Sequence, residues 1–143
     1  MALDEFIDAP SAMELYSITR DGETTHLTNL TSYYSSILEI SRYAWSPDER
    51  YIAFWLRYGW IGNFANEELA VLDLGTLEVT NYCITSSFAA TIPVWSPNGK
   101  QLAFGNLSED GEHWQVVLVD IIQSFAAVIA IGEMDPVGWM ISP

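Results

Sequence analysis

The chain of 143 residues carries 19 acidic against 5 basic side chains, a formal net charge of −14; half of its residues are apolar, and 13% of the chain is aromatic. That apolar content excludes a disordered tail, and the acidic balance excludes the phosphate contacts that hold nucleic acids and anionic membranes, because these need Lys and Arg to displace counterions. The length predicts one domain with enough chain to bury a core, and an acidic surface favours basic partners or solubility alone.

In chain order, the N-terminus Met1-Ala2-Leu3-Asp4-Glu5-Phe6 has acids where a secretory leader has bases, so a cytoplasmic location is expected. Phe6-Ile7-Asp8 reads as the end of a strand, and residues 14–19 and 24–27, joined by Arg20-Asp21-Gly22-Glu23, read as a hairpin. Residues 42–45 and 51–55 flank the turn Ser46-Pro47-Asp48-Glu49, in which Pro47 pre-sets the backbone for the first central position. A connection from Leu56 to Glu67 follows, then strands at 68–74 and 77–82 around Gly75-Thr76. The same order returns: residues 91–95 and 101–104 around Ser96-Pro97-Asn98-Gly99, then 115–120 and 124–131. The last piece, residues 137–143, opens another copy with Gly138-Trp139 and stops at Ser142-Pro143.

The order is a repeat. Trp45-Ser46-Pro47-Asp48-Glu49-Arg50-Tyr51-Ile52-Ala53-Phe54 returns as Trp95-Ser96-Pro97-Asn98-Gly99-Lys100-Gln101-Leu102-Ala103-Phe104. A period of roughly 45–50 residues signals a propeller, solenoid or array, and four short strands per repeat signal a propeller blade. These segments, with the following Glu68-Leu69-Ala70-Val71-Leu72-Asp73-Leu74-Gly75, resemble the repeat of TolB-type β-propellers, over nearly the whole chain from Phe6 to Pro143. Similar repeats occur in the non-catalytic propellers of prolyl-oligopeptidase-like peptidases. Glu49 stands where the resemblance leads one to expect a turn glycine, and Ile121-Ile122-Gln123 replaces the glycine-bearing outer turn.

The expected fold is therefore all-β: propeller blades of four antiparallel strands, about three repeats in a single domain 1–143, with blade pieces at 6–30, 36–85, 88–132 and 137–143. Rings take about 4–8 blades. The chain is then either part of a longer propeller or half of a six-bladed assembly closed by a second copy.

Chemistry-bearing constellations are few. His26 and His113 have no spaced partners of the kind a zinc site needs, and neither a Gly-x-Ser-x-Gly elbow nor a glycine-rich phosphate loop is present. Glu109-Asp110-Gly111-Glu112 offers acidic oxygens but not the alternating spacing of a calcium loop. Asp48, Asp73 and Asp120 read as acceptors for turn amides. Asn29-Leu30-Thr31 and Asn106-Leu107-Ser108 match the glycosylation pattern by coincidence, and the single Cys83 is expected to be a buried apolar residue that forms no internal disulfide. The apolar run 116–131 is interrupted by Asp120 and Gln123 and is too short to span a bilayer.

One feature exceeds what the repeat requires. The connection 56–67 gathers Arg57, Tyr58, Trp60 and Phe64 among glycines, the residue types of interface hot spots. The expected function is a non-enzymatic protein-interaction or scaffold module, without cofactor or metal, that binds a protein partner or itself and neither nucleic acid nor membrane. The alternative is the accessory propeller of a hydrolase or peptidase whose catalytic domain lies elsewhere.

Overall fold

The computed structural model describes residues 13–34, 37–59, 67–86, 90–132 and 135–140. A two-stranded sheet, β1 (Tyr16–Ile18) and β2 (Thr24–His26), leads through a 3-10 turn at Leu30–Ser32 into a four-stranded sheet. That sheet is an antiparallel meander of β3 (Ile37–Trp45), β4 (Tyr51–Gly59), β5 (Glu67–Asp73) and β6 (Glu78–Ser86). A second meander repeats it as β7 (Val94–Trp95), β8 (Gln101–Leu107), β9 (Trp114–Asp120) and β10 (Phe125–Ile131). Residues 135–140 follow without regular structure and return Trp139 to the second blade. The architecture is all-β, a partial propeller of two four-stranded blades flanked by pieces of others.

The blades stack because their central strands are apolar on both faces. Ile52–Leu56 and Leu69–Leu72 run without a polar residue, the pattern of a sheet covered on both sides. Ile52, Phe54, Leu56, Ala70 and Leu72 pack towards Leu27, Leu30 and Leu38. Alternate residues Ala53, Trp55, Leu69 and Val71 pack towards Ala90, Trp95, Leu102, Phe104, Val117, Val119 and Ile121 of the next blade. There Trp55 meets Phe104 edge-on at 5.1 Å, a favoured aromatic geometry. Two of the repeat tryptophans, Trp95 and Trp139, also hydrogen-bond the blade before them. The Trp95 indole donates to the Ala44 carbonyl at 3.0 Å, and that of Trp139 donates to the Val94 carbonyl at 3.2 Å. Ala44 and Val94 both immediately precede a repeat tryptophan, so the packing step is the same each time.

One six-residue turn serves three hairpins. In each, a serine hydroxyl accepts the amide five residues on and donates to an Asp or Asn two residues on. The serines are Ser46, with Tyr51 and Asp48, Ser96, with Gln101 and Asn98, and Ser108, with His113 and Asp110. The fourth position has positive φ in all three: Glu49 58°, Gly99 66° and Gly111 73°. The missing glycine at Glu49 therefore changes the residue and not the turn. The outer turns are likewise conserved in geometry. Phe125 faces Asp120 as Glu78 faces Asp73, and Ser124 and Leu77 both take positive φ just before the last strand.

Four expectations are corrected. Residues 56–59 and 67 belong to β4 and β5, so the connection is shorter than 56–67. The innermost strand of the first blade starts at Ile37 and not at Arg42, whereas that of the second is only Val94–Trp95. The outer strand β6 extends to Ser86, beyond Tyr82. Cys83 is exposed. It sits at a bulge, where the β5–β6 register shifts between Glu68 and Ala70, and its φ of 53° turns the thiol outward.

Candidate functional site

Of the expected contact residues, Trp60 and Phe64 lie outside the described residues. Arg57 and Tyr58 close β4, and both are engaged. The Tyr58 hydroxyl donates to Glu68 Oε1 at 2.7 Å, and the Asn81 amide donates to the other Glu68 oxygen. The Glu68 carboxylate, and to a lesser extent burial, pushes the Tyr58 phenol up to about 12, which keeps it a donor. Tyr34 lies against the Tyr58 ring at 4.8 Å.

Arg57 belongs to a charge network that sequence reading missed. Its Nη1 reaches Glu39 Oε2 and its Nη2 reaches Glu67 Oε1, each at 2.8 Å. The Glu67 side chain is 0% exposed, and its other oxygen takes Arg42. Arg42 Nη1 continues to the Ala90 carbonyl of the next blade at 2.9 Å. Register explains the convergence: Glu39 faces Arg57 across β3–β4, and Arg57 faces Glu67 across β4–β5. Arg42 joins them from a bulge, with φ 47° where the β3–β4 pairing shifts between Ser41 and Ala44. The signal was an acid–base pair at matching distances from two strand ends, hidden because both lay in a supposed loop. A buried carboxylate held by two guanidinium groups is a fastener between strands and blades rather than a reactive acid.

Beside it, Ser86 faces Glu67 across β5–β6, and Asn106 Nδ2 donates to the Thr85 carbonyl at 3.1 Å. Asn106 is 3% exposed, which removes it as a glycosylation acceptor. The other singled-out polar residues have structural duties. Asp73 Oδ1 accepts the Gly75 amide at 2.8 Å, and Asp120 Oδ1 accepts those of Ile122 and Gln123 at 3.0 and 2.9 Å. Hydrogen bonding holds Asp48, Asp110 and Asp120 below the usual carboxylate range, chiefly from Ser46, Ser108 and the Gln123 amide respectively. Residues 109–112 are thus the third copy of the serine turn. His26 stacks on Tyr16 at 4.5 Å, 3.9 Å from Glu14. No group of three or more His, Cys, Asp or Glu residues placed to hold a metal occurs among the described residues, and no described helix is long and apolar enough to cross a membrane.

No family model matches the chain, and its sequence matches no curated protein. Solved structures do match. A prolyl endopeptidase aligns with TM-score 0.64 and 17% identity over 87% of this chain and 20% of its own. TolB from Acinetobacter baumannii aligns with TM-score 0.58 and 20% identity over 85% of this chain and 27% of its own. The β-propeller domain of the trilobed protease from Pyrococcus furiosus, described as having an open velcro topology, aligns with TM-score 0.55 and 17% identity over 71% and 30% respectively. At these identities the likeness is one of fold: the chain is built as part of a β-propeller. It spans less than a third of the length of each of these structures.

Proposed function

We propose that this chain is a non-enzymatic interaction or scaffold module of TolB-like β-propeller type. The observation that carries the reading is where its surfaces lie. The interior is blade-to-blade packing, while among the described residues apolar side chains stay exposed on the first hairpin and on the outermost strand of the second blade. Tyr16 and Ile18 are exposed on β1, and Phe125, Val128, Ile129 and Ile131 on β10, with Val137 and Met140 beyond. Exposed apolar sheet of this extent marks association surfaces. A second copy suits both ends, since two arcs would supply about six blades, within the usual range for a ring. Asp48, Asp73, Asp110 and Asp120 are tied into turns, His26 stacks on Tyr16, and Arg57 belongs to the Glu67 network. Assay of the purified chain against chromogenic peptides and esters tests the reading: no turnover is expected, and turnover abolished by His26→Ala or His113→Ala would refute it.

The second reading is an accessory propeller of a hydrolase, favoured by the likeness to a prolyl endopeptidase and an acylaminoacyl peptidase. A reading frame that continues past Pro143 into an α/β-hydrolase pattern would decide for it.

A further inference from the structure

A cleft among the described residues lies at the outermost strand of the first blade. It has a volume of about 490 Å³ and runs between the 3-10 turn and the first half of β6. Asn29 and Tyr33 form one wall, and Leu77, Glu78, Thr80 and Asn81 the other. Tyr33 is 83% exposed and Leu77 is also exposed, so an aromatic ring and an aliphatic side chain face solvent beside amide, hydroxyl and carboxylate groups. Leu77 is held there by its backbone, at φ 60° with its amide donating to the Asp73 carbonyl at 2.7 Å.

Three properties limit what could occupy the cleft. First, β6 is the outermost strand of its sheet, so its free edge can pair with an added extended segment. Second, the charge of the cleft and its surroundings is negative. Glu78 is exposed, and Glu68 takes its hydrogen bonds from the neutral donors Tyr58 and Asn81. Glu14, which accepts the Leu30 and Thr31 amides at 3.0 and 2.7 Å and the Thr28 hydroxyl, lies beneath the turn that carries Asn29 and Tyr33. Among the described residues no Lys or Arg lines the cleft. Third, an exposed tyrosine ring and a carboxylate lining one cleft offer a guanidinium or ammonium group two kinds of partner.

We propose that this cleft binds an extended basic peptide segment, laid along the edge of β6 with an Arg or Lys side chain over Tyr33 and against Glu78. The proposal rests on the interaction-module reading and gives its partner a chemical class.

The test is fluorescence anisotropy of a labelled octapeptide alternating Arg with Leu, titrated with the whole chain. Saturable binding that weakens as salt is raised is expected. Tyr33→Ala and Glu78→Gln should each weaken it by about tenfold, while Glu112→Gln, an equal charge loss at an exposed turn elsewhere, should leave it within about twofold. Circular dichroism establishes that each variant is folded. The proposal is overturned by absence of binding, by equal binding of the octapeptide with Glu in place of Arg, or by equal losses in all three variants, which would mark general attraction to an acidic surface. The chain's self-association does not enter this readout, so failure here leaves ring closure standing, and failure of ring closure leaves this site standing.

Discussion

Replacing Glu67 by Gln should cost the fold about 3 kcal/mol. The carboxylate is fully enclosed; one oxygen takes Arg57 at 2.8 Å and Ser41 Oγ at 3.4 Å, and the other takes Arg42. Removing one member of such a buried set typically costs 3–5 kcal/mol, roughly, because charge is left without its counterpart. Gln keeps the volume and an acceptor oxygen, and Arg57 keeps Glu39, so the loss belongs at the low end. For a domain of this size that lowers Tm by about 6–12 °C. Thermal unfolding followed by tryptophan fluorescence reads it well, since Trp55 and Trp95 lie in the blade interface that Arg42 helps to fasten. Glu67→Leu is the sharper arm. It is the more hydrophobic replacement, yet it should destabilise more than Gln, having no acceptor for either guanidinium. A Leu variant as stable as the native chain, or a Gln variant within about 1 kcal/mol of it, would refute the assignment of Glu67 as a fastener.

Trp95→Phe, which keeps the ring but loses the bond to the Ala44 carbonyl, should cost about 1–2 kcal/mol in urea unfolding; no loss would remove the repeated indole bond from the account of blade stacking. Asp48→Asn should keep its turn, because Asn98 fills the same place in the next repeat, but should change the pH dependence. The folded Asp48 pKa is lowered, first by the Ser46 hydroxyl, so its charge-dependent contribution is full above the unfolded value near 3.8 and is lost as pH falls through the folded value. The stability difference between wild type and variant should therefore be constant from pH 7 to 5 and shrink below about pH 4; a difference unchanged at pH 2.5 would contradict the shift. Cys83 should react with an aromatic disulfide reagent in the native chain at the rate of an accessible thiol, and reaction only on unfolding would contradict its position on the bulge.

The repeat was legible because its turn chemistry is local. Ser-Pro-Asp and Ser-Pro-Asn-Gly dictate their own hydrogen bonds, and the apolar runs after them can only be sheet buried on both faces. The third copy of that turn, Ser108-Glu109-Asp110-Gly111, was equally readable, but without the proline it looked like an isolated acidic loop. The Glu67 network and the exposure of Cys83 were not legible. Both depend on bulges, at Arg42 and Cys83, where non-glycine residues take positive φ and no residue type announces the shift. The rim cleft was hidden for a different reason: Tyr33 and Glu78 are 45 positions apart in the chain and line one cleft only because the 3-10 turn folds against the outer strand.

The central claim is that the open ends of the arc are docking faces that complete a ring. Multi-angle light scattering of the intact chain, and of one ending before Val137, tests it directly at low and high salt. The account predicts a dimer that strengthens with salt, because each copy carries −14 charges that salt screens, and that falls to monomer when the segment bearing Trp139 is removed. A well-folded intact monomer under all conditions, or a dimer unchanged by the truncation, would contradict it.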